Sequence, residues 1–475
     1  MNRKITAKLF WTAILLGGLV VLWLKEVPLA YWVAQQRAVL MGRYSVGQAA
    51  AQIILTPIGL LLLWGIWAAR EKTPDQKRLD AFKTIALIGS ILAGILFTDI
   101  AIRLVQSNQY FRTGHSYHRQ PNQIRRGIFE DKPICALTYP RAGAGYPPVS
   151  YTFTTDRRGF RNQTDLDRYD ILTLGDSFAE GSGVSDEQVW GVQLASLTGW
   201  TVYNLGMSGT SAAGYLQTLQ DIGLSLKPKA VLCMLYEGND FRDSNFKEED
   251  PKKKNRSLND ILFRSSPLRQ RFQTFLIEFL GPLGSRRFKG DPSTLADPKH
   301  PMYPVAWQPV ELPEGSGNYY SFEVKRLLDH CLSPEQFLQT KACRKTHEIL
   351  IRLKAVCQEH QIRLVIVYAP DKPHLVMEAA KGFLSPAQVR AFLALRQDQP
   401  PPVDQLWETI LPQMDTFEEV MRQFCRQEAI EFISLTEILR QQMLAGRQAY
   451  FTYDQHWSPE GHRIVAEYLA GALSL

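Results

Sequence analysis

Near the C-terminus, residues 453–462 read Tyr-Asp-Gln-His-Trp-Ser-Pro-Glu-Gly-His, which places Asp454, His456 and His462 within ten positions. An Asp close to a His is the pairing a general base needs, because the carboxylate orients the imidazole and stabilises its charged form. Such a base needs a nucleophile, and Ser177 in Gly175-Asp176-Ser177 offers one where a short apolar run ends and a helical pattern begins. Acyl chemistry also needs donors aimed at a developing oxyanion. Gly209, closing Asn-Leu-Gly-Met-Ser-Gly, can supply a main-chain N–H, and Asn239, in Glu-Gly-Asn-Asp, a side-chain amide. Each of these residues also has a plainer explanation: Ser177 as a helix N-cap, the Gly and Asn as turn formers.

A metal site is not expected. The two histidines lie six positions apart, without the spacing of a helical metal motif. A helix should start at Ser458, with Pro459 in its first position, so His462 falls one turn in and should cap or pack. His374, in Pro-Asp-Lys-Pro-His-Leu, reads as a loop residue or as lining the cleft. No cofactor is expected.

The elements that must position these groups are legible as short apolar segments near 170–174, 201–205, 229–236, 362–369 and 430–435, each followed by glycine or polar residues. Amphipathic helical patterns lie between them. Buried strands alternating with helices predict a parallel sheet covered on both faces. Ser177, Gly209, Asn239 and Asp371 all fall at strand ends, where such sheets carry their sites. There is no G-x-S-x-G nucleophile elbow.

Together the four blocks resemble the SGNH, or GDSL-type, hydrolases over about residues 151–475. The resemblance implies a three-layer α/β/α flavodoxin-like domain and an ester hydrolase. It implies Ser177 as nucleophile, His456 as general base and Asp454 as its orienting partner. Ser177, Gly209 and Asn239 would form the oxyanion hole. The spacing Asp-x-His-Trp, in place of Asp-x-x-His-Pro, looks like the branch of alginate-type polysaccharide O-acetyltransferases and membrane-anchored bacterial relatives. Thr-Thr-Asp-Arg-Arg-Gly-Phe-Arg-Asn-Gln at 154–163 and Tyr-Ala-Pro-Asp-Lys-Pro-His-Leu-Val at 368–376 look similar to segments of such anchored members. The implied substrates are O-acyl, above all O-acetyl, esters of a surface glycan. A serine esterase, an O-acyltransferase served by a membrane acyl-donor partner, and a non-catalytic glycan-binding protein on the same scaffold all stay open.

The rest of the chain sets the context. Apolar runs at 9–24, 46–69 and 82–105 predict a membrane anchor over residues 1–105 with about three transmembrane helices. Basic residues at the N-terminus and between the second and third runs place those ends in the cytoplasm. The catalytic domain is then expected outside an inner (plasma) membrane. Residues 106–150 read as a linker, and insertions are expected near 241–346 and 384–428. The net charge of +7 over 475 residues comes without an aromatic-interleaved basic stripe, so nucleic acid is not an expected partner. Six cysteines lack a C-x-x-C pair, and Cys331 with Cys343 are the candidates for a disulfide in an oxidising compartment.

Overall fold

The structure, a computed structural model, describes residues 3–23, 39–40, 44–68, 73–107, 110–113, 116–131, 145–241, 307–394, 397 and 399–474. The chain divides into two compact units. Met1–Ser107 belongs to one; Asn108–Ile134, Arg141–Lys254 and Ala306–Leu475 make up the other.

In the first unit the apolar runs form the helices Arg3–Trp23, Val46–Ala68 and Pro74–Ser107. The first two pack together: the Trp67 indole N–H donates to the Thr12 hydroxyl at 3.0 Å, and Gly59 lies against Leu19. The third is longer than its apolar run because it begins on the charged segment from Pro74 to Lys83. Among the described residues no helix is long and apolar enough to cross a membrane. The expected three-span anchor therefore does not follow from the fold.

The second unit is built on five parallel strands: β1 (Ile171–Leu174), β2 (Val202–Asn204), β3 (Ala230–Tyr236), β4 (Arg363–Ala369) and β5 (Glu431–Ser434). Their order is β2-β1-β3-β4-β5. The direction of winding reverses at β1, which opens a crevice at the carboxyl ends of β1 and β3. Helices that connect or flank the strands include α1 (Ser177–Glu180), α2 (Trp190–Thr198), α3 (Ala212–Asp221), α4 (Lys341–Glu359), α5 (Lys372–Ala380), α6 (Thr416–Gln427) and α7 (Pro459–Ala472).

All seven residues of β3 are buried, as a strand covered on both faces requires. Leu172, Leu174, Val231, Cys233, Leu235 and Ile366 alternate into one core with α3, α4 and α6. On the other face Gly191 of α2 lies against Val202 and Thr173, and α7 packs along α2. Burying each large aliphatic side chain is worth roughly 1.5–3 kcal/mol.

Residues 106–150, expected as a linker, carry strands. Tyr110–Thr113 pairs with Ser116–Arg119, and Ile124–Phe129 with Val149–Thr154, both antiparallel. The second pair is tied to the sheet domain: Thr152 N–H donates to the Ser185 hydroxyl and Thr154 N–H to the Asp186 carboxylate, each at 3.1 Å. Cys331 and Cys343 are both free thiols; Cys343 is buried and lies 3.7 Å from His347 Nε2. The first insertion is described from residue 307, as the hairpin Trp307–Glu311 with Tyr319–Glu323 and the helices after it. Residues 242–306 lie outside the described residues. The second insertion is helical, as expected.

Candidate active site

The position expected of the nucleophile is made by a tight turn. After β1, Gly175 adopts φ +155°, and a side chain there would press on Ala179 and Met234. The turn delivers Ser177 as the first residue of α1. The plainer alternative of Ser177 as the helix cap does not hold: Asp176 is the N-cap, its carboxylate accepting the Phe178 N–H at 2.9 Å. An Asp in that position satisfies the helix end and leaves the Ser177 hydroxyl for other work. Asp176 also accepts the Asn239 side-chain amide at 2.7 Å. Burial lifts its pKa above the ordinary carboxylate range, against the pull of the Phe178 and Asn239 hydrogen bonds and the His456 charge.

His456, the expected base, lies in the loop before α7. The Ser177 hydroxyl donates to His456 Nε2 at 2.6 Å. His456 Nδ1 donates to Asp454 Oδ1 at 2.5 Å, and the His456 main-chain N–H reaches the same oxygen at 2.9 Å. The two-residue spacing therefore forms a local turn in which one carboxylate oxygen fixes both the backbone and the ring of His456. Burial would raise the Asp454 pKa, but the charge and hydrogen bonds of His456, with help from Lys372, hold it down at about 2. A bridge between Tyr450 and Trp457 closes the loop. Trp457 is fully buried, edge-on to Phe178 with ring centres 5.0 Å apart. Phe178 in turn lies 5.1 Å from the His456 ring and stacks on Tyr236 at 3.9 Å. The tryptophan of Asp-x-His-Trp is thus a buried apolar anchor for Phe178, which lies beside the His456 ring.

The oxyanion candidates sit on neighbouring turns. Asn239 follows β3 and is joined to the nucleophile turn through Asp176. Arg326 steadies that turn by donating to the Gly238 carbonyl at 2.7 Å. Gly209, with φ +79°, lies in the turn after β2. Met207 N–H ties this turn to the Gly175 carbonyl at 3.0 Å. Ser208 donates its N–H, at 3.3 Å, and its hydroxyl to Glu180, the last residue of α1. Arg119 grips the same carboxylate with two bonds of 2.5 and 2.7 Å. Ser177, His456 and Asp454 thus form one hydrogen-bonded chain; the Asn239 amide bonds the side chain of Asp176, the residue before Ser177, and Gly209 lies on a turn fastened to α1.

Other sequence candidates lie elsewhere. His462 is buried in α7, where Nδ1 accepts the Trp190 N–H at 3.3 Å, and burial pushes its pKa down to about 3. His374 is neither a loop residue nor a cleft residue. It sits fully buried in α5, 3.0 Å from Glu237 and 2.8 Å from Asp415. Burial disfavours its charge, but the two carboxylates outweigh that and raise its pKa to about 10. Asp371 is the N-cap of α5 and accepts the Tyr236 hydroxyl at 2.8 Å. Among the described residues no group of His, Cys, Asp and Glu could hold a metal ion.

Sequence reasoning passed over the supporting shell. Arg161, 3% exposed, donates to the Asp186 carboxylate at 2.8 Å and to the carbonyls of Glu180, Gly181, Thr152 and Val184. It holds the chain leaving α1. Its signal was present in Arg-Arg-Gly-Phe-Arg-Asn; nothing local marks Arg119 or Asp131.

No protein-family model matches the chain, and no curated protein does. Among solved structures, it is similar to a putative lipolytic protein of the G-D-S-L family from Desulfitobacterium hafniense DCB-2, at 12% identity and TM-score 0.29, covering 64% of this chain and 98% of that one. TesA is 13% identical with TM-score 0.31, covering 64% and 97%. The acetyl xylan esterase AlAXEase is 10% identical with TM-score 0.30, covering 64% and 99%.

Proposed function

We propose that this protein is a serine acyl hydrolase that cleaves carboxylic esters through an acyl-enzyme on Ser177. The observation that carries the reading is the chain of hydrogen bonds from Ser177 Oγ to His456 Nε2 and from His456 Nδ1 to Asp454. In this reading His456 takes the hydroxyl proton as Oγ attacks the ester carbonyl, and Asp454 stabilises the imidazolium. The Ser177 and Gly209 N–H groups and the Asn239 amide receive the oxyanion. His456 then returns the proton to the departing alcohol. Water completes hydrolysis by the reverse sequence, and a sugar hydroxyl in place of water would make the same enzyme an O-acyltransferase.

The substrate class we propose is an O-acetyl ester of a surface glycan. The Asp-x-His-Trp spacing, which resembles that of polysaccharide O-acetyltransferases, supports it. Attachment to a membrane through residues 1–105, with the sheet domain outside the cytoplasm, belongs to the same proposal. Its support is the outward-facing apolar side chains of that unit, among them Trp64, Phe82 and Phe97, each at least 70% exposed. The test is release of acetate from an acetylated glycan, with and without an acceptor glycan. Acetate release by the wild type and none by Ser177→Ala is the expected result. Equal release by both would remove the serine mechanism, and acetylated acceptor with little free acetate would make the enzyme a transferase. A reporter fused after Leu475 should be active only outside the cytoplasm.

A further inference from the structure

Asp131 lies beyond the strand Ile124–Phe129 and is 5% exposed. Its carboxylate accepts the main-chain N–H groups of Thr452 at 2.6 Å, Tyr453 at 3.1 and 3.2 Å, Asp454 at 2.9 Å and Tyr146 at 2.9 Å. Three successive amides of the catalytic loop thus converge on one side chain from more than three hundred residues upstream, a backbone nest around an anion. The opposite side of the same peptide stretch is held by a cation: Lys372 Nζ donates to the Thr452 carbonyl at 2.8 Å and to the Ser321 carbonyl at 3.1 Å. Gly145 permits the close packing of the Tyr146 end, since a Cβ there would come 2.0 Å from the Asp131 carbonyl oxygen. A carboxylate is buried at a cost that only several good donors offset. Here most of those donors belong to the loop that carries Asp454 and His456.

We propose that Asp131, together with Lys372 on the far side of Thr452, is a positioning residue for the catalytic loop, holding Asp454 and His456 in line with Ser177. The inference rests on reading Ser177, His456 and Asp454 as a triad. Asp131 touches no reacting atom and acts through the main chain of residues 452–454. In Asp131→Asn one of the two acceptor oxygens becomes an NH2. Whichever way the amide turns, at least one loop N–H then faces a donor. The loop must shift, and a misplacement of about 1 Å costs on the order of a hundredfold in rate.

The experiment uses the full chain and compares wild type, Asp131→Asn, Asp131→Glu, Ser177→Ala and the core variant Leu353→Ala. It measures kcat and KM for p-nitrophenyl acetate, the rate of Ser177 phosphonylation by a fluorophosphonate, and the thermal midpoint. Asp131→Asn should lose about a hundredfold in kcat and in labelling rate while KM stays within about threefold. Asp131→Glu, which keeps the charge, should recover part of that loss. Leu353→Ala should lose stability but keep kcat. If Asp131→Asn yields no folded protein, Asp131→Glu carries the test with about a tenfold loss in kcat at unchanged KM. A wild type labelled at Ser177 alongside a folded Asp131 variant of wild-type kcat overturns this inference alone. A wild type that does not label at Ser177 overturns the triad reading and the inference with it.

Discussion

Replacing Asp454 with Asn probes the electrostatic half of the triad. In the native site one oxygen, Asp454 Oδ1, accepts both the Nδ1 proton and the main-chain N–H of His456. An asparagine can keep that oxygen in place, so both bonds survive in neutral form and the charge is what is lost. When Ser177 attacks, His456 becomes an imidazolium with its charge centre roughly 4 Å from the carboxylate. At an effective dielectric near 20 that pair is worth about 4 kcal/mol. At 1.36 kcal/mol per decade this is roughly a thousandfold in rate. The loop should not move, because Asp131 holds its amides independently of the Asp454 side chain. Asp454→Asn should therefore lower kcat for p-nitrophenyl acetate about a thousandfold near neutral pH. KM should change little, while the thermal midpoint should fall, because a carboxylate whose pKa is held at about 2 stabilises the fold at neutral pH. In the Ser177→Ala background the substitution should cost nothing further, because the residues act as a unit. A loss below tenfold would refute the reasoning, as would an additional loss in the Ser177→Ala background.

Asn239→Ala should reduce kcat by about 10²–10³ if its amide receives the oxyanion, measured with the same ester. An unchanged kcat would remove it from the oxyanion hole. Arg161→Met leaves the buried Asp186 carboxylate without its cation and should cost about 3–5 kcal/mol. In calorimetry that is a midpoint lower by roughly 10 °C, and a shift of a degree or less would deny the clamp its role. His374 has a folded pKa raised from 6.5 to about 10. Its stabilisation is complete below its unfolded pKa and is lost as pH rises through the folded one. The stability difference between wild type and His374→Gln should therefore be largest below pH 6.5 and shrink toward about pH 10. A difference constant over that range would show that His374 does not carry the charge.

The sheet was readable because its signal is local. Runs such as Ala-Val-Leu-Cys-Met-Leu-Tyr have no polar position to spare, and each ends in the glycine or polar turn that builds the site. Ser177, Asp454 and His456 were singled out because their short blocks, taken together, supply the residue types acyl chemistry needs, and the fold brings the three side chains within hydrogen-bond distance. The supporting shell was not singled out. Arg119 ends the short strand Ser116–Arg119 and Asp131 follows the strand Ile124–Phe129, whose side chains are exposed or half-buried throughout, so those segments read as linker. Their partners are carbonyls, amides and one carboxylate that the fold brings from far along the chain, and nothing in the residues around them announces that contact. His374 misled in the opposite sense. Its neighbours Pro373 and Asp371 suggested a loop, yet they are the N1/N2 proline and N-cap that start α5. The alternative of Ser177 as a helix cap is settled by its neighbour, since Asp176 takes the Phe178 N–H and leaves the Ser177 hydroxyl free of that role.

The central claim is that Ser177 is a nucleophile activated by His456. Incubating the full-length protein with a fluorophosphonate and mapping the adduct by peptide mass spectrometry tests it most directly. The account predicts a single phosphonyl group on Ser177, absent from Ser177→Ala and formed far more slowly in His456→Ala. Folded wild-type protein that stays unlabelled, or label that persists in Ser177→Ala, would contradict it.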